Sequence, residues 1–395
     1  MYVRELPPLS LYVHLPWCVR KCPYCDFNSR EVQGEVPEHA YVAALLRDLD
    51  QHLPAIGDRP IISVFIGGGT PSLFSGEAIA LLLDGLRARL PLVPELEITL
   101  ESNPGTVTAS RLQEYRASGV NRLSIGVQSF RNAQLRSIGR IHGREESLTA
   151  YQAARAAGFD NVNLDLMFGL PEDHVSGALE DLTTALMLEP DHLSWYQLTI
   201  EPNTVFYHRP PPLPDDDALW AMQQQGQMLL AAHGYAHYEV SAYAREGKRC
   251  CHNLNYWEFG DYLGIGAGAH SKITDNRQHT IMRFAKCRHP RAYMKAAGTP
   301  AVLAEQQTLE PGQAVVEFMM NALRLKGGFL PLLFIGRTGL PYPLLQPTIK
   351  EAVARGLLDC TADVIEPTEL GYRYLNELIY LFYQDEAYFT ETGSA

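Results

Sequence analysis

The sequence predicts an α/β protein: a partial (β/α)6 barrel of the TIM type, followed by a small C-terminal winged-helix-like α+β domain. Three observations lead there. Short apolar runs alternate with longer amphipathic ones over residues 9–240. Several short runs are almost unbroken hydrophobic stretches, as parallel strands buried on both faces require. Beyond Pro300 the alternation gives way to closely spaced helical patterns.

The strands read, in order, as LSLYVHL (9–15), IISVFIGG (61–68), LEITLESN (96–103), RLSIGVQS (122–129), NVNLDLMFGL (161–170) and HLSWYQLTI (192–200). All are rich in branched and aromatic residues, which fit a pleated, buried surface. Helical patterns such as HAYVAALLRDLDQHL and GEAIALLLDGLRARL separate them. Gly119, Gly158 and Gly234 stand between a helix and the next strand, where a left-handed cap needs a residue without Cβ. Roughly eight strands close a full barrel. Six leave it open, with a wide mouth at the strands' C-terminal ends, the edge at which α/β proteins bind ligands. The barrel is expected over 1–240, and a barrel extension carrying CCHNLNYWEFGDYLGIGAGAHS over 241–300. The winged-helix-like domain is expected over 301–395, with helices in EFMMNALRLKGG, PTIKEAVARGLL and PTELGYRYLNELIYLFY and a frayed tail, ETGSA.

The chain has 395 residues, 46 % of them hydrophobic and 20 % charged, an ordinary globular composition with room for a sizeable core. A formal net charge of −12 argues against broad binding to nucleic acid or anionic membrane, so no nucleic-acid partner is expected. The opening MYVRELPPLSLYVHLP has no secretory h-region. No uncharged apolar run reaches the roughly 18–20 residues of a membrane span, and Arg337 interrupts the nearest one. A cytoplasmic protein is expected. Seven cysteines, an odd count, make a poor disulfide framework.

Three of those cysteines crowd into WCVRKCPYCDF: Cys18, Cys22 and Cys25. They follow the end of the first strand, so they sit on a loop at the functional mouth. Three thiolates suit an iron–sulfur cluster or zinc. Structural zinc takes four ligands, and no second C-x-x-C follows. A four-iron cluster on three cysteines leaves one iron open to a small molecule. Zinc and three incidental buried cysteines are the alternatives. GGGTPS (67–72) ends the second strand, and ESNPG, GVQSF and DLMFGLP end later ones. These place Glu101, Gln128 and Asp165 at one edge, with Arg140 nearby in SIGRIHG; any one alone reads as a capping or turn residue.

C-x3-C-x2-C after a first strand, with GGGTP in the second unit, resembles the radical S-adenosylmethionine (SAM) superfamily over about residues 8–275. The resemblance implies a [4Fe–4S] cluster on Cys18, Cys22 and Cys25, with SAM chelated at the open iron. The strand-end set is similar to the oxygen-independent coproporphyrinogen III oxidases. It implies that Tyr12, Gly68, Gly69, Thr70, Glu101, Gln128, Arg140 and Asp165 contact SAM, and that Tyr24 lies close to the cluster and its ligand.

Two features depart from the oxidases. Phe27 stands where they carry a fourth cysteine, and only eight residues precede the first strand. HNLNYW (252–257) matches the H-N-x-x-Y-W motif of a sister group, the radical SAM haem chaperones, which share the phenylalanine form and the C-terminal domain. The match runs nearly end to end, and the chain is identified as a member of that group. What this implies is a carrier that binds haem and delivers it to apo-haemoproteins, membrane respiratory proteins among them, with a homodimer as one expected assembly. The alternatives are a true oxidase, decarboxylating the propionates of coproporphyrinogen III, and a zinc-stabilised adaptor. His252, with Tyr256, Trp257, Phe259 and Tyr262 close in sequence, offers imidazole and aromatic faces to haem. Taken alone it reads more readily as a hydrogen-bonded core histidine among core aromatics. Cys250, Cys251, His14, His142 and His270 are weaker candidates.

Overall fold

The structure, a computed structural model, describes residues 1–393 apart from Tyr2, Arg4 and Ala362. The six expected strands form: β1 (Leu9–Leu15), β2 (Ile61–Gly68), β3 (Leu92–Ser102), β4 (Arg122–Gln128), β5 (Val162–Phe168) and β6 (His192–Gln197). They lie side by side in chain order, each parallel to the next. Every residue of β4 is buried, which is why its sequence shows no polar alternation. Helices Glu38–Ile56, Gly76–Arg87, Ala109–Ser118, Arg144–Ala156 and Val175–Met187 link the strands. Ser75 and Thr108 cap two of them by accepting the N–H of Ala78 and Arg111. Gly119 takes the left-handed cap at φ +110°.

The sheet continues beyond these six strands. Strands β7 (Ala236–Glu239) and β8 (Ala242–Ala244) follow β6 antiparallel. On the other side β9 (Asp261–Ile265) pairs parallel with β1, Leu9 opposite Asp261 and Val13 opposite Ile265. Antiparallel β10 (His270–Asp275), β11 (Thr280–Lys286) and β12 (Leu303–Thr308) follow. The order across 12 strands is β12-β11-β10-β9-β1-β2-β3-β4-β5-β6-β8-β7. Asp261 anchors the join. Its carboxylate, fully buried, accepts from Arg59 and Lys272, both at 2.8 Å, and from Thr274. Burial works against its charge, but Lys272 and Arg59 hold its pKa below the ordinary value.

A second hydrophobic core gathers Phe259 and Ile281 with Phe318, Phe329, Phe334, Leu378 and Phe382. It is built by helices Pro311–Ala322, Pro331–Thr338, Gln346–Ala354 and Leu375–Gln384, with the two-stranded ribbon Leu358–Cys360 and Ile365–Pro367. This is the expected helix-and-ribbon make-up. The segment after the first of these helices covers the edge strand β7: Lys326 N–H donates to Tyr238 O at 3.0 Å. Of the expected tail ETGSA, Glu391–Gly393 close a helix that begins at Glu386, and Ser394 and Ala395 lie outside the described residues. Among the described residues no helix is long and apolar enough to cross a membrane.

Candidate functional site

The chain leaves β1 at Leu15 and turns through the cysteine loop. Cys18 is buried, and Cys22 and Cys25 are half-buried. Backbone bonds from the end of β2 hold the loop: Gly69 N–H donates to Leu15 O at 2.8 Å and Thr70 N–H to Trp17 O at 2.7 Å. Only glycine fits at 69, because a Cβ there would meet the Trp17 carbonyl oxygen at 2.6 Å. Burial pushes the Cys18 and Cys25 thiols up, and binding a metal draws off their protons. Among the described residues no three His, Cys, Asp or Glu side chains converge as a site for one ion. A four-iron cluster asks for less convergence than zinc, since each thiolate binds a different iron.

The three cysteines line a cavity of about 500 Å³ at the C-terminal ends of the parallel strands. Tyr24, Gly68, Gly69, Thr70, Glu101, Gln128, Arg140 and Asp165 line the same cavity. The fold thus brings together side chains spread over nearly 150 positions, because most end a neighbouring parallel strand or lie in the loop after it, while Asp165 lies within β5 and Arg140 follows the short helix Asn132–Ser137. Glu101 Oε2 accepts Gly68 N–H at 3.2 Å. Burial, with the charge of Asp165 beside it, pushes the Glu101 pKa up to about 8. Asp165 accepts from Asn163 Nδ2 at 2.7 Å and Ser124 Oγ at 3.0 Å, yet burial still raises its pKa. Gln128, held at φ +68°, accepts the Tyr196 hydroxyl at 2.8 Å. Arg140 donates to Gly126 O at 2.6 Å and points another nitrogen at Cys22 Sγ, 3.8 Å away. Its Nε is buried without a partner. Thiols at one end, buried acceptors along the floor and an orphaned guanidinium N–H fit a cluster with a polar organic ligand.

Two expected site residues lie elsewhere. Tyr12 lines a second cavity, of about 680 Å³, and donates its hydroxyl to His14 Nδ1 at 3.0 Å. His252 is on the wall of neither cavity. It is buried, with Nδ1 3.0 Å from Ser63 Oγ and Nε2 3.1 Å from the Tyr256 hydroxyl. Burial and the nearby Arg122 charge push its pKa down to about 3, so the ring is neutral.

The second cavity joins aromatics that the sequence offered to haem with cations that it did not mark. Tyr256, Trp257 and Tyr262 line it, from the HNLNYW helix and β9, as do Lys272, Arg283 and Arg288 from β10, β11 and the loop after β11. Lys272 and Arg283 face each other across the β10–β11 hairpin, but the aromatic wall they meet comes from β1, β9 and the HNLNYW helix, so no local pattern marks the site. Phe27, Gly68 and Glu101 belong to both cavities and form their common wall.

The sequence model of the Radical SAM superfamily matches residues 12–182. The chain is 53 % identical over 380 residues to the heme chaperone HemW of Escherichia coli (strain K12), covering 96 % of this chain and 99 % of that protein. It is 47 % identical over 386 residues to the heme chaperone HemW of Haemophilus influenzae, covering 97 % and 100 %. The solved structure of the coproporphyrinogen III oxidase HemN of Escherichia coli, a radical SAM enzyme, matches 95 % of this chain and 90 % of that one with a TM-score of 0.80. Its identity of 23 % makes this a shared fold. The radical SAM family implies a [4Fe–4S] cluster and SAM, and the first cavity has the side chains to hold both. The chain belongs to the radical SAM superfamily and, within it, to the haem chaperone family of HemW.

Proposed function

We propose that the chain binds haem in the second cavity, beside a cluster and SAM in the first, and delivers it to apo-haemoproteins. The second cavity carries this reading. A porphyrin is a flat apolar ring with two carboxylates at one edge. It needs aromatic faces and cations together, and Tyr12, Tyr256, Trp257 and Tyr262 share this wall with Arg283 and Arg288. Lys272 is committed to Asp261, so the propionate seats fall to the two arginines. Arg283 reaches Glu317 at 2.6 Å, and Arg288 is exposed. Phe27, 62 % exposed at the junction of the two cavities, offers the ring a further apolar contact. The relatives named as heme chaperones support the same reading.

In the first cavity Cys18, Cys22 and Cys25 hold the cluster irons. When bound, a cluster with SAM supplies one-electron chemistry and an adenosyl radical. Glu101 and Asp165 accept from ligand hydroxyls, Gln128 orients its amide toward the ligand, and the backbone of Gly68, Gly69 and Thr70 lies against the ligand's methionine end. Arg140 places positive charge beside Cys22, and Tyr24 shields the cluster. His252 serves as a positioning residue: it fixes the Tyr256 hydroxyl from behind the haem cavity.

The complete first cavity also suits an oxidase acting on coproporphyrinogen III. Phe27, in place of a fourth cysteine, speaks against it. The two readings separate on one preparation, reconstituted anaerobically, then given haem or coproporphyrinogen III. Stable haem binding without decarboxylation is expected. Formation of protoporphyrinogen without haem retention would overturn the proposal.

A further inference from the structure

We infer that His270 supplies the iron ligand for a haem in the second cavity; the inference rests on the reading that haem occupies that cavity. Two histidines line it, His14 and His270. His14 is already committed, accepting from Tyr12 at Nδ1 and donating from Nε2 to Asn28 O at 2.9 Å. His252 stands behind the wall with both nitrogens engaged. His270 opens β10 at the cavity rim, opposite Ala285 of β11. It is exposed, and among the described residues nothing makes a hydrogen bond or ring contact with its imidazole.

The surroundings favour a ligating ring. Partial burial lowers the His270 pKa, and Arg283 and Arg288 reinforce this against the opposing charge of Glu305. A neutral imidazole is the form that binds iron. The same two arginines are the propionate seats, so iron and carboxylates meet their partners on one side of the cavity. The rim is also fixed. Asn28, three residues after Cys25, donates to Ala267 O at 2.8 Å and Arg288 O at 2.9 Å. The Asn28 amide packs so closely on Gly268 that a Cβ there would lie 2.3 Å from it. One side chain of the cysteine loop therefore holds the segments that carry both His270 and Arg288. An exposed ligand also suits a carrier, because an incoming client's own donor can reach the iron and displace it.

The test uses the full chain with its cluster reconstituted, titrated separately with iron protoporphyrin IX and metal-free protoporphyrin IX. Wild type, His270→Ala and His252→Ala are compared. In the wild type the ferrous complex should show an iron–imidazole stretch by resonance Raman spectroscopy. His270→Ala should lose it, bind iron protoporphyrin at least about tenfold more weakly, and bind the metal-free ring as before. Added imidazole should restore the stretch. His252→Ala, which disturbs the wall through Tyr256 and so weakens binding of both porphyrins alike, should keep the stretch in the haem it does bind. An unchanged stretch in His270→Ala, or its loss in His252→Ala alone, would overturn the assignment to His270 and leave the haem cavity standing. A wild type that binds neither porphyrin would overturn the cavity reading, and this inference with it.

Discussion

His252 Nε2 and the Tyr256 hydroxyl lie 3.1 Å apart, one turn along the HNLNYW helix, with the rings edge to face at 4.8 Å between centroids. On its other side the imidazole meets Ser63 of β2. The histidine of the motif thus ties a barrel strand to the wall of the aromatic cavity. His252→Ala should cost about 2–4 kcal/mol in denaturant unfolding, because it opens a void and leaves two hydroxyls short of a partner. Tyr256→Phe keeps the ring and should cost about 1 kcal/mol.

Cluster assembly should separate from folding. Cys22 is half-buried, and its thiol meets Arg140 at 3.8 Å and the Tyr24 hydroxyl. Cys22→Ala should abolish the iron content and brown absorbance of the reconstituted protein. The unfolding free energy of the metal-free protein should move by no more than about 0.5 kcal/mol.

Gly69→Ala should do the opposite. An added methyl 2.6 Å from the Trp17 carbonyl forces apart the two backbone bonds that seat the cysteine loop on β2. Overpacking of this kind costs about 1–3 kcal/mol. The thermal midpoint should fall, and cluster yield should fall with it although every cysteine is intact.

Glu101 should leave a mark on stability against pH. Its carboxyl is raised from 4.5 in the unfolded chain to about 8 in the fold. Its contribution is therefore full below about 4.5 and is lost as pH rises toward about 8. Glu101→Gln carries no such loss. In thermal melts of the cluster-free protein, the variant should gain on the wild type as pH rises through that window and level off above it. A difference independent of pH would refute the assignment.

The parallel strands were legible because burial on both faces erases polar alternation and leaves runs such as LSLYVHL and RLSIGVQS. The cysteine loop and the polar residues ending strands were legible because fixed spacing and strand ends mark the barrel mouth in one dimension. β9 to β12 were not. β12 (Leu303–Thr308) is exposed along nearly its whole length and carries no hydrophobic period. β9 finds its partner β1 some 250 positions away, a pairing that local pattern does not encode. The cations of the second cavity gave no local sign either: Lys272 and Arg283 pair across a hairpin, but they meet Tyr12 and Tyr256 only once that hairpin is laid beside the barrel. His252 stood out by motif, but its place behind the cavity wall depends on Ser63 and Tyr256 in space.

Phe27, Gly68 and Glu101 face both cavities. Two ligands bound on either side of one partition are coupled to the extent that either one moves it. Whatever factor an occupant of the aromatic chamber imposes on SAM binding, SAM must impose on that occupant in return. A cell's supply of SAM would then set how tightly the carrier keeps its cargo, and the cargo would report back on how readily the nucleotide is held.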